Sequence, residues 1–312
     1  MPLSEKLLIQ RIRRLATRGA RRGPGIGDDC AVLELPPGQQ VLVTTDFSLE
    51  EVHFRREWHP ADSVGHRCLA RGLSDIAAMG GMPLAAFLSL ALPADLPQDW
   101  VDRFMAGFLK LAARFSLRLA GGDTAQSPDG VVADIVVLGF VPRDEAVLRS
   151  GASAGDFLYV TGSLGCSVAS LNQLREGKML WPKSNPKHFY PEPRLAIGQF
   201  LREKRLASAM IDISDGLSTD LGHLCEESGT GVVVSAEALP AVPGNDGLTF
   251  ALHGGDEYEL LFTAHPNRRI PKQIANVPVT RIGEMVPGRQ MKLAKPDGKM
   301  ETLKPAGWEH FS

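Results

Sequence analysis

Six short acidic clusters stand beside glycine, serine or threonine along this chain, each at the end of an apolar stretch. They are Gly27-Asp28-Asp29, Thr44-Thr45-Asp46, Ser74-Asp75, Gly121-Gly122-Asp123, Asp212-Ile213-Ser214-Asp215 and Gly254-Gly255-Asp256-Glu257. Carboxylates on short side chains are the hard oxygen ligands that Mg²⁺ takes, and it shares the rest of its shell with water and substrate phosphates. Small neighbouring residues let backbone amides approach phosphate oxygens. The clusters therefore predict one magnesium-phosphate site assembled from distant segments.

Any single cluster also has a purely structural explanation, because Asp beside Gly or Ser commonly caps a helix or shapes a turn. Two carboxylates about 4 Å apart repel by roughly 4 kcal/mol at an effective dielectric of about 20, so several can converge only with cations. Asp212 and Asp215 are three apart around an expected strand-to-helix turn, where both could point into one cavity. Six clusters favour the metal interpretation, although spacing alone does not show that they meet.

Familiar nucleotide and zinc motifs are missing from the sequence, which contains no G-x-x-x-x-G-K-[ST], no D-F-G and no H-E-x-x-H. A bound nucleotide would therefore be held through metal bridges and glycine amides. The four cysteines are widely separated and form no C-x-x-C, so neither a zinc site nor a disulfide framework is supported. We expect them to be small buried hydrophobic residues.

Composition limits the partners. The chain has 312 residues and a net charge of −2, so no global field recruits nucleic acid or an anionic membrane. A basic run from Arg11 to Arg22 is more typical of a solvated helix face and loop than of a targeting signal. No stretch approaches the ~20 apolar residues that span a bilayer, and we expect a cytoplasmic protein.

The elements that would position the acidic residues mix helices with strands, which predicts an α/β or α+β protein. We expect two domains, 1–148 and 149–312. Apolar periodicity predicts helices over 3–17, 62–79, 98–115, 195–204 and 216–228, and one after Ser163. Strands are predicted at 41–43, ending at Thr44-Thr45-Asp46, at 117–120, leading into Gly121-Gly122-Asp123, and at 131–141, 157–160, 209–213 and 258–263. The proline-rich segment 181–193 is a lid or linker candidate.

The motifs taken in order resemble thiamine-monophosphate kinase, a family of the aminoimidazole-ribonucleotide-synthetase-like group, over essentially the whole chain. They include Gly25-Ile26-Gly27-Asp28-Asp29-Cys30-Ala31, Leu73-Ser74-Asp75-Ile76-Ala77-Ala78-Met79-Gly80, Gly121-Gly122-Asp123-Thr124, Ile211-Asp212-Ile213-Ser214-Asp215-Gly216-Leu217 and Gly307-Trp308-Glu309-His310-Phe311. The resemblance implies an N-terminal α/β lobe whose sheets pair in a homodimer, and a C-terminal α+β lobe. It also implies ATP-dependent phosphorylation of thiamine monophosphate to thiamine diphosphate.

The same resemblance implies roles for residues at matching positions. Mg²⁺ would be bound, in part through water, by Asp29, Thr45, Asp46, Asp75, Asp123, Asp212 and Asp215. ATP would contact Thr44, Gly122, Asp123, Arg149 and Ser214, and thiamine monophosphate would contact His53, Asp256 and Trp308. No residue is expected to serve as a dedicated catalytic base, because the acceptor phosphate is already anionic.

One departure from the family lies at Gly254-Gly255-Asp256-Glu257, where the family has G-G-E-D. The swap leaves open whether Asp256 or Glu257 meets the substrate. Two alternatives also stay open at this point: another ATP-dependent enzyme of the same fold group, and a non-enzymatic sensor of Mg-nucleotide or thiamine phosphates.

Overall fold

The computed structural model describes residues 3–16, 26, 30–31 and 33–311. The chain divides into two compact units. The first consists of Met1–Ile76 with Met82–Asp144, and the second of Ala77–Gly81 with Glu145–Ser312. The short insert at 77–81 belongs to the second unit although the chain around it belongs to the first. The domain boundary near residue 148 stays a prediction.

In its described residues, the first unit combines three helices with one four-stranded sheet. Its helices are α1 (Glu5–Ala16), α2 (Ala61–Ala78, whose last residues lie in the second unit) and α3 (Gln98–Arg114). Its strands are β1 (Gln39–Leu49), β2 (Met82–Pro93), β3 (Arg118–Ser127) and β4 (Val132–Pro142). All three helices lie where apolar periodicity predicts them.

The sheet of the first unit has the order β1-β4-β2-β3. β4 pairs antiparallel with β1 and β2, whereas β2 and β3 are parallel. Side chains alternate between the two faces of a strand. In β1, Val41, Val43, Thr45 and Phe47 are exposed, and the residues between them are more buried.

Two predicted strand ends are wrong. β1 does not stop at Asp46 but continues to Leu49, because its inward and outward alternation persists from Thr44 to Ser48, although the inward residues there are polar. β3 likewise continues through Gly121-Gly122-Asp123 to Ser127. An irregularity at Ala120, which has no counterpart between Ala86 and Phe87 of β2, keeps the glycines within the ladder. These carboxylates therefore lie inside strands and not in turns.

Glycines allow helices α2 and α3 to touch closely. A Cβ on Gly65 of α2 would lie 2.0 Å from the Phe104 carbonyl oxygen, and one on Gly107 of α3 would lie 1.8 Å from that of Asp62. Hydrogen is the only side chain that fits at either position. This packing fixes α2, the helix that carries Asp75.

The second unit contains five further helices: α4 (Cys166–Arg175), α5 (Pro186–Phe189), α6 (Leu195–Glu203), α7 (Leu217–Ser228) and α8 (Gly247–His253). Its strands are β5 (Phe157–Thr161), β6 (Ala209–Asp212), β7 (Gly231–Ser235), β8 (Leu260–Ala264), β9 (Gln273–Ile274), β10 (Val277–Val286), β11 (Met291–Ala294) and β12 (Met300–Thr302). The sequence did not predict α8 or strands β7 and β9–β12, just as it did not predict β2.

The strands of the second unit form a mixed sheet in the order β12-β11-β7-β10-β5-β8-β6, with β9 beside β10. The β11–β7 pair is parallel, and the other pairs are antiparallel. Leu158, Val160, Ile211, Leu221 and Leu261 lie in one apolar core between this sheet and its helices. That core supports the turn from β6 into α7, where two of the acidic residues lie.

The proline-rich segment 181–193 is more ordered than an open loop. It contains a 3₁₀ turn at Pro182–Ser184 and the short helix α5, with His188 and Phe189 buried. The fully buried Glu259 anchors it from two sides. Arg194 donates to Glu259 at 2.7 and 2.6 Å, and Lys187 donates at 3.0 Å. Because buried charges must be paired, this cluster ties the segment to the sheet.

The cysteines differ in how deeply they are buried. Cys68 and Cys225 are buried as predicted, but Cys30 is exposed and Cys166 is partly exposed, so the prediction is wrong for Cys30. Among the described residues, no helix is long and apolar enough to cross a membrane.

Candidate active site

In the first unit, β1 and α2 bring together three of the predicted site residues. The Thr44 hydroxyl donates a hydrogen bond to an Asp75 carboxylate oxygen. Asp46, two residues further along β1, is within side-chain hydrogen-bonding range of Asp75. Residues 44 and 46 share a face of the strand, and that face meets the helix. Two carboxylates and a hydroxyl thus form a compact oxygen set from segments 31 residues apart.

A positive charge nearby would stabilise the ionised carboxylates of this set. Burial, together with the negative charges of Asp75 and Asp134, raises the pKa of Asp46 to about 7, and the positive charge of Arg71 opposes this rise. A carboxyl with such a pKa is partly protonated at neutral pH. A divalent cation would remove the repulsion and hold both groups ionised, so the donor set fits Mg²⁺.

Thr45 and Asp123 lie on the other face of the sheet. Asp123 is paired in register with Ser89, Ser89 with Asp134, and Asp134 with the exposed Phe47. Thr45 alternates with Asp46 along β1 and is exposed, so its side chain does not join the Thr44, Asp46 and Asp75 set. Asp29 lies outside the described residues.

Gly122 and Asp123 line a cavity of about 620 Å³ in the first unit, together with Phe87, Leu88 and residues of α1. A Cβ on Gly122 would lie 1.8 Å from the Leu88 carbonyl oxygen, and its φ is +148°, so glycine is required there. The chain therefore lines this cavity with a residue that carries no side chain. A cavity of this size is ample for part of a nucleotide.

In the second unit, the turn between β6 and α7 holds three more predicted residues. Asp212 is buried at the end of β6, and Ser214 and Asp215 are partly exposed in the turn. The Asp220 carboxylate in the first turn of α7 accepts hydrogen bonds from the backbone amides of Ser214, Asp215 and Gly216 at 3.1, 3.2 and 3.0 Å. Asp220 therefore holds the turn in its conformation through these three hydrogen bonds.

Asp220 was not predicted as a site residue. Its position in the first turn of a helix that follows an acidic turn could have indicated it. Burial, followed by the charge of Asp215, raises its pKa to about 7, while the three backbone hydrogen bonds lower it. Two carboxylates thus crowd this turn as well, which again favours a bound cation beside Asp215.

The swapped pair Asp256 and Glu257 occupies two different environments. Asp256 has a φ of +58°, donates its backbone amide to the Ser214 carbonyl at 2.7 Å and accepts the Tyr258 hydroxyl at 2.6 Å. Asp256 is therefore beside the 212–215 turn. Glu257 is buried, and one of its oxygens accepts the Ser167 amide at the start of α4 at 3.0 Å. Its other oxygen has no partner among the described residues.

The remaining predicted contacts are split between the units. Trp308 is half exposed, and its amide donates to the Asp215 carbonyl at 2.9 Å, which places it next to the acidic turn of the second unit. His53 follows β1 in the first unit, where its Nδ1 accepts the Leu49 amide at 2.9 Å. Arg149 is exposed in the second unit, and its carbonyl accepts the Ser228 hydroxyl at 2.8 Å.

The structure thus gathers Thr44, Asp46 and Asp75 in one unit. It gathers Asp212, Ser214, Asp215, Asp256 and Trp308 around one turn in the other. Among the described residues, no three His, Cys, Asp or Glu side chains are arranged as a complete metal-binding group. Each set offers oxygen ligands that water and substrate phosphates would have to complete, which is the usual coordination of Mg²⁺.

Two family models match the chain. Residues 27–141 match the AIR synthase related protein, N-terminal domain, and residues 153–295 match the AIR synthase related protein, C-terminal domain. Among curated relatives, the thiamine-monophosphate kinase of Salmonella typhimurium is 37% identical, with 92% of each chain covered. That of Bacillus subtilis is 32% identical, with 92% of this chain and 93% of the relative covered.

Similarity to solved structures points to the same family. The crystal structure of thiamine-monophosphate kinase from Stenotrophomonas maltophilia K279a is 34% identical, with a TM-score of 0.81 over 96% of this chain and 98% of that one. AaThiL complexed with AMPPCP and TMP is 30% identical, with a TM-score of 0.79 over 100% and 99%. The hydrogenase maturation protein HypE in complex with ATP has a TM-score of 0.82 over 98% of this chain and 95% of that one, but at 19% identity it shares only the fold.

Proposed function

The chain belongs to the thiamine-monophosphate kinase family of AIR synthase related proteins, and we propose that it transfers the terminal phosphoryl group of ATP to thiamine monophosphate, giving thiamine diphosphate. The observation that carries this proposal is similarity along the full chain to relatives of that one activity, joined to a neighbour that binds an ATP analogue and TMP together. The acidic sets described above supply suitable chemistry.

Thr44, Asp46 and Asp75 are the proposed Mg²⁺ ligands and ATP contacts of the first unit, with Asp29, Thr45, Gly122 and Asp123 as further members. The position of Gly122 supports its proposed role. It lines a cavity and has no side chain, so a backbone amide there can approach a phosphate oxygen. Thr45 and Asp123 lie on the opposite sheet face from Asp46, so any part they take is separate from the Asp46 and Asp75 set.

Asp212 and Asp215 are the proposed Mg²⁺ ligands of the second unit, and Ser214 and Arg149 are proposed ATP contacts. Trp308 and Asp256 are proposed to contact thiamine monophosphate, as is His53 of the first unit. Of the swapped pair, Asp256 is the proposed substrate contact, because the Glu257 carboxylate already accepts a hydrogen bond from a backbone amide at the start of α4. An indole beside an acidic turn suits a cationic thiazolium ring, through stacking worth roughly 0.5 to 2 kcal/mol.

Phosphoryl transfer to thiamine monophosphate needs no protein base, because the acceptor oxygen is already anionic near neutral pH. Repulsion between two polyanions is the obstacle instead. Bound Mg²⁺ would neutralise phosphate charge and orient the reacting groups. The acidic residues of the chain would hold the cations, which would align donor and acceptor, so we propose direct in-line transfer without an aspartyl-phosphate intermediate.

A homodimer that pairs the N-terminal sheets is also proposed. The outer face of β1 exposes Val41, Val43 and Phe47, and in the described chain β1 has a strand partner, β4, on one side. An apolar sheet face with an open edge is an aggregation risk unless it is covered. A second copy would cover it symmetrically.

The direct test is incubation of purified protein with Mg-ATP and thiamine monophosphate, with chromatography of nucleotides and thiamine phosphates. Thiamine, an aminoimidazole precursor and no acceptor serve as controls. We expect one thiamine diphosphate for each ADP, with the monophosphate as acceptor. ADP formed with another acceptor would point to a different reaction of the same fold group, and binding without turnover would point to a sensor.

Trapping with labelled ATP tests the direct route. After denaturation in the absence of thiamine monophosphate, we expect no label on the protein. A stable phosphoprotein that discharges to thiamine monophosphate would contradict direct transfer.

A further inference from the structure

Arg71 lies on α2 one helical turn before Asp75, so the two side chains emerge on the same side of the helix. Its guanidinium donates a hydrogen bond to the carbonyl oxygen of Phe47 at 2.8 Å. Phe47 directly follows Asp46 in β1. A cation is thus fixed by a backbone contact at the edge of the Thr44, Asp46 and Asp75 set.

The charge of Arg71 acts on this set. Its guanidinium is held at the carbonyl of the residue that follows Asp46, and its side chain leaves α2 on the side that carries Asp75. Arg71 is therefore electrostatically part of the acidic set, although none of the family motifs includes it.

We propose that Arg71 is a built-in counter-ion of the Asp46 and Asp75 pair, stabilising the metal-free protein and competing with the first Mg²⁺ to bind there. This inference rests on the Mg²⁺ assignment made under Proposed function. A fixed guanidinium offsets carboxylate repulsion when no metal is present. The same positive charge repels an arriving divalent cation, so it lowers the affinity of the set for metal. Arg71 is a positioning residue and makes no contact with reacting atoms in this scheme.

This arrangement has a physical advantage over an uncompensated pair. Without a counter-ion, Asp46 and Asp75 would disfavour the contact between β1 and α2 whenever metal is scarce. With Arg71, the contact is kept and metal binding is weaker and more reversible. Substrate phosphates would then add the ligands that hold the cation only when substrate is bound.

The test separates charge from hydrogen bonding with two variants. Arg71→Gln keeps a donor for the Phe47 carbonyl but loses the charge, whereas Arg71→Lys keeps the charge. Arg103→Gln, on the exposed face of α3 in the same unit, is the matched control. Thermal melts at about pH 8 are recorded in EDTA and in Mg²⁺. Mn²⁺ binding is measured by electron paramagnetic resonance.

We expect Arg71→Gln to melt about 2 °C or more below wild type in EDTA and to bind Mn²⁺ about threefold more tightly or better. Its Mg²⁺-induced rise in Tm should therefore exceed that of wild type. Arg71→Lys and Arg103→Gln should follow wild type in both measurements.

Two contrary results have different meanings. If Arg71→Gln shows the same Mg²⁺-induced rise and the same Mn²⁺ affinity as wild type, the counter-ion role is overturned while the metal assignment stands. If wild type itself shows no Mg²⁺ effect on Tm and no Mn²⁺ binding, with and without ADP, the metal assignment fails and the counter-ion role fails with it. Weaker Mn²⁺ binding by Arg71→Gln would also overturn the inference, since it would make Arg71 a supporter of the metal.

Discussion

Asp46 combines burial, a neighbouring carboxylate and a position inside a strand, which makes it a sensitive residue for testing the metal assignment. Asp46→Asn keeps the size and polarity of the side chain but removes its charge. We expect the rate of transfer to fall by roughly two orders of magnitude or more. The Tm in EDTA should not fall, because the repulsion with Asp75 is gone. Asp99→Asn, exposed on α3, is the control. An active Asp46→Asn enzyme would contradict the metal assignment.

Glu257 makes the stability of the second unit depend on pH. Burial raises its pKa from 4.5 to about 7, so the folded state favours the protonated carboxyl. Its stabilising contribution is therefore present below about pH 4 and is lost as pH rises through about 7. Between about pH 5 and pH 8, wild type should lose up to roughly 3 kcal/mol more unfolding free energy than Glu257→Gln. Urea melts at both pH values measure this, and equal losses would contradict it.

Trp308 tests the substrate assignment separately from the metal. Trp308→Ala removes the half-exposed indole of the residue whose amide bonds to the Asp215 carbonyl, and we expect the KM for thiamine monophosphate to rise by about 3- to 30-fold. The KM for ATP should change little. Trp181→Ala is the control, since Trp181 is another exposed indole of the same unit. A KM rise confined to ATP would assign Trp308 to the nucleotide.

At the scale of elements, the segment 181–193 depends on one buried carboxylate. Arg194→Met leaves Glu259 buried with fewer partners, and we expect a loss of about 3 kcal/mol or more of unfolding free energy. Lys178→Met removes an exposed ion pair with Glu176 and should cost less than about 1 kcal/mol. Denaturant melts of both variants measure the difference. Similar losses would show that the cluster does not hold the segment.

The longer helices were readily predicted from sequence, whereas the short helices α5 and α8 and several strands were not. Apolar residues recur in α2 and α3 with helical spacing, which few other structures produce. The continuation of β1 was missed because its inward positions carry Thr44, Asp46 and Ser48 instead of apolar residues. β10 contains Pro278 and, at an irregularity in its pairing, Gly283, both of which normally argue against a strand interior.

The candidate site was predictable in residue type but not in grouping. Asp beside Gly, Ser or Thr marked the acidic residues, yet only tertiary structure shows that Thr44 meets Asp75 and that Asp123 lies on the other face. Asp220 and Arg71 were missed because each reads as an ordinary helix residue. Their effect depends on the acidic residues in the neighbouring strand or turn. The spacing of residues along one helix gives no information about those neighbours.

At the scale of the whole molecule, assembly can be tested through the outer face of β1. Phe47→Asp places a charge at the centre of the proposed contact between copies, and we expect it to shift the protein from dimer to monomer. Sedimentation velocity measures the change. Val52→Asp, which alters an exposed apolar residue just beyond the strand, is the control. A wild-type protein that sediments as a monomer at all concentrations would contradict the dimer.

The alternation of side chains in β1 gives the chain a vulnerability to insertions and deletions. Thr44 and Asp46 face α2, and Val43, Thr45 and Phe47 face outward, so one strand carries proposed ligands on one side and a largely apolar surface on the other. A single residue added or lost between Gln39 and Val43 would exchange the two sides throughout the rest of the strand. The proposed ligands would then face outward and valines would meet Asp75. Changes of length should therefore be tolerated in the turn before Gln39 but not within the strand, however conservative the residue added.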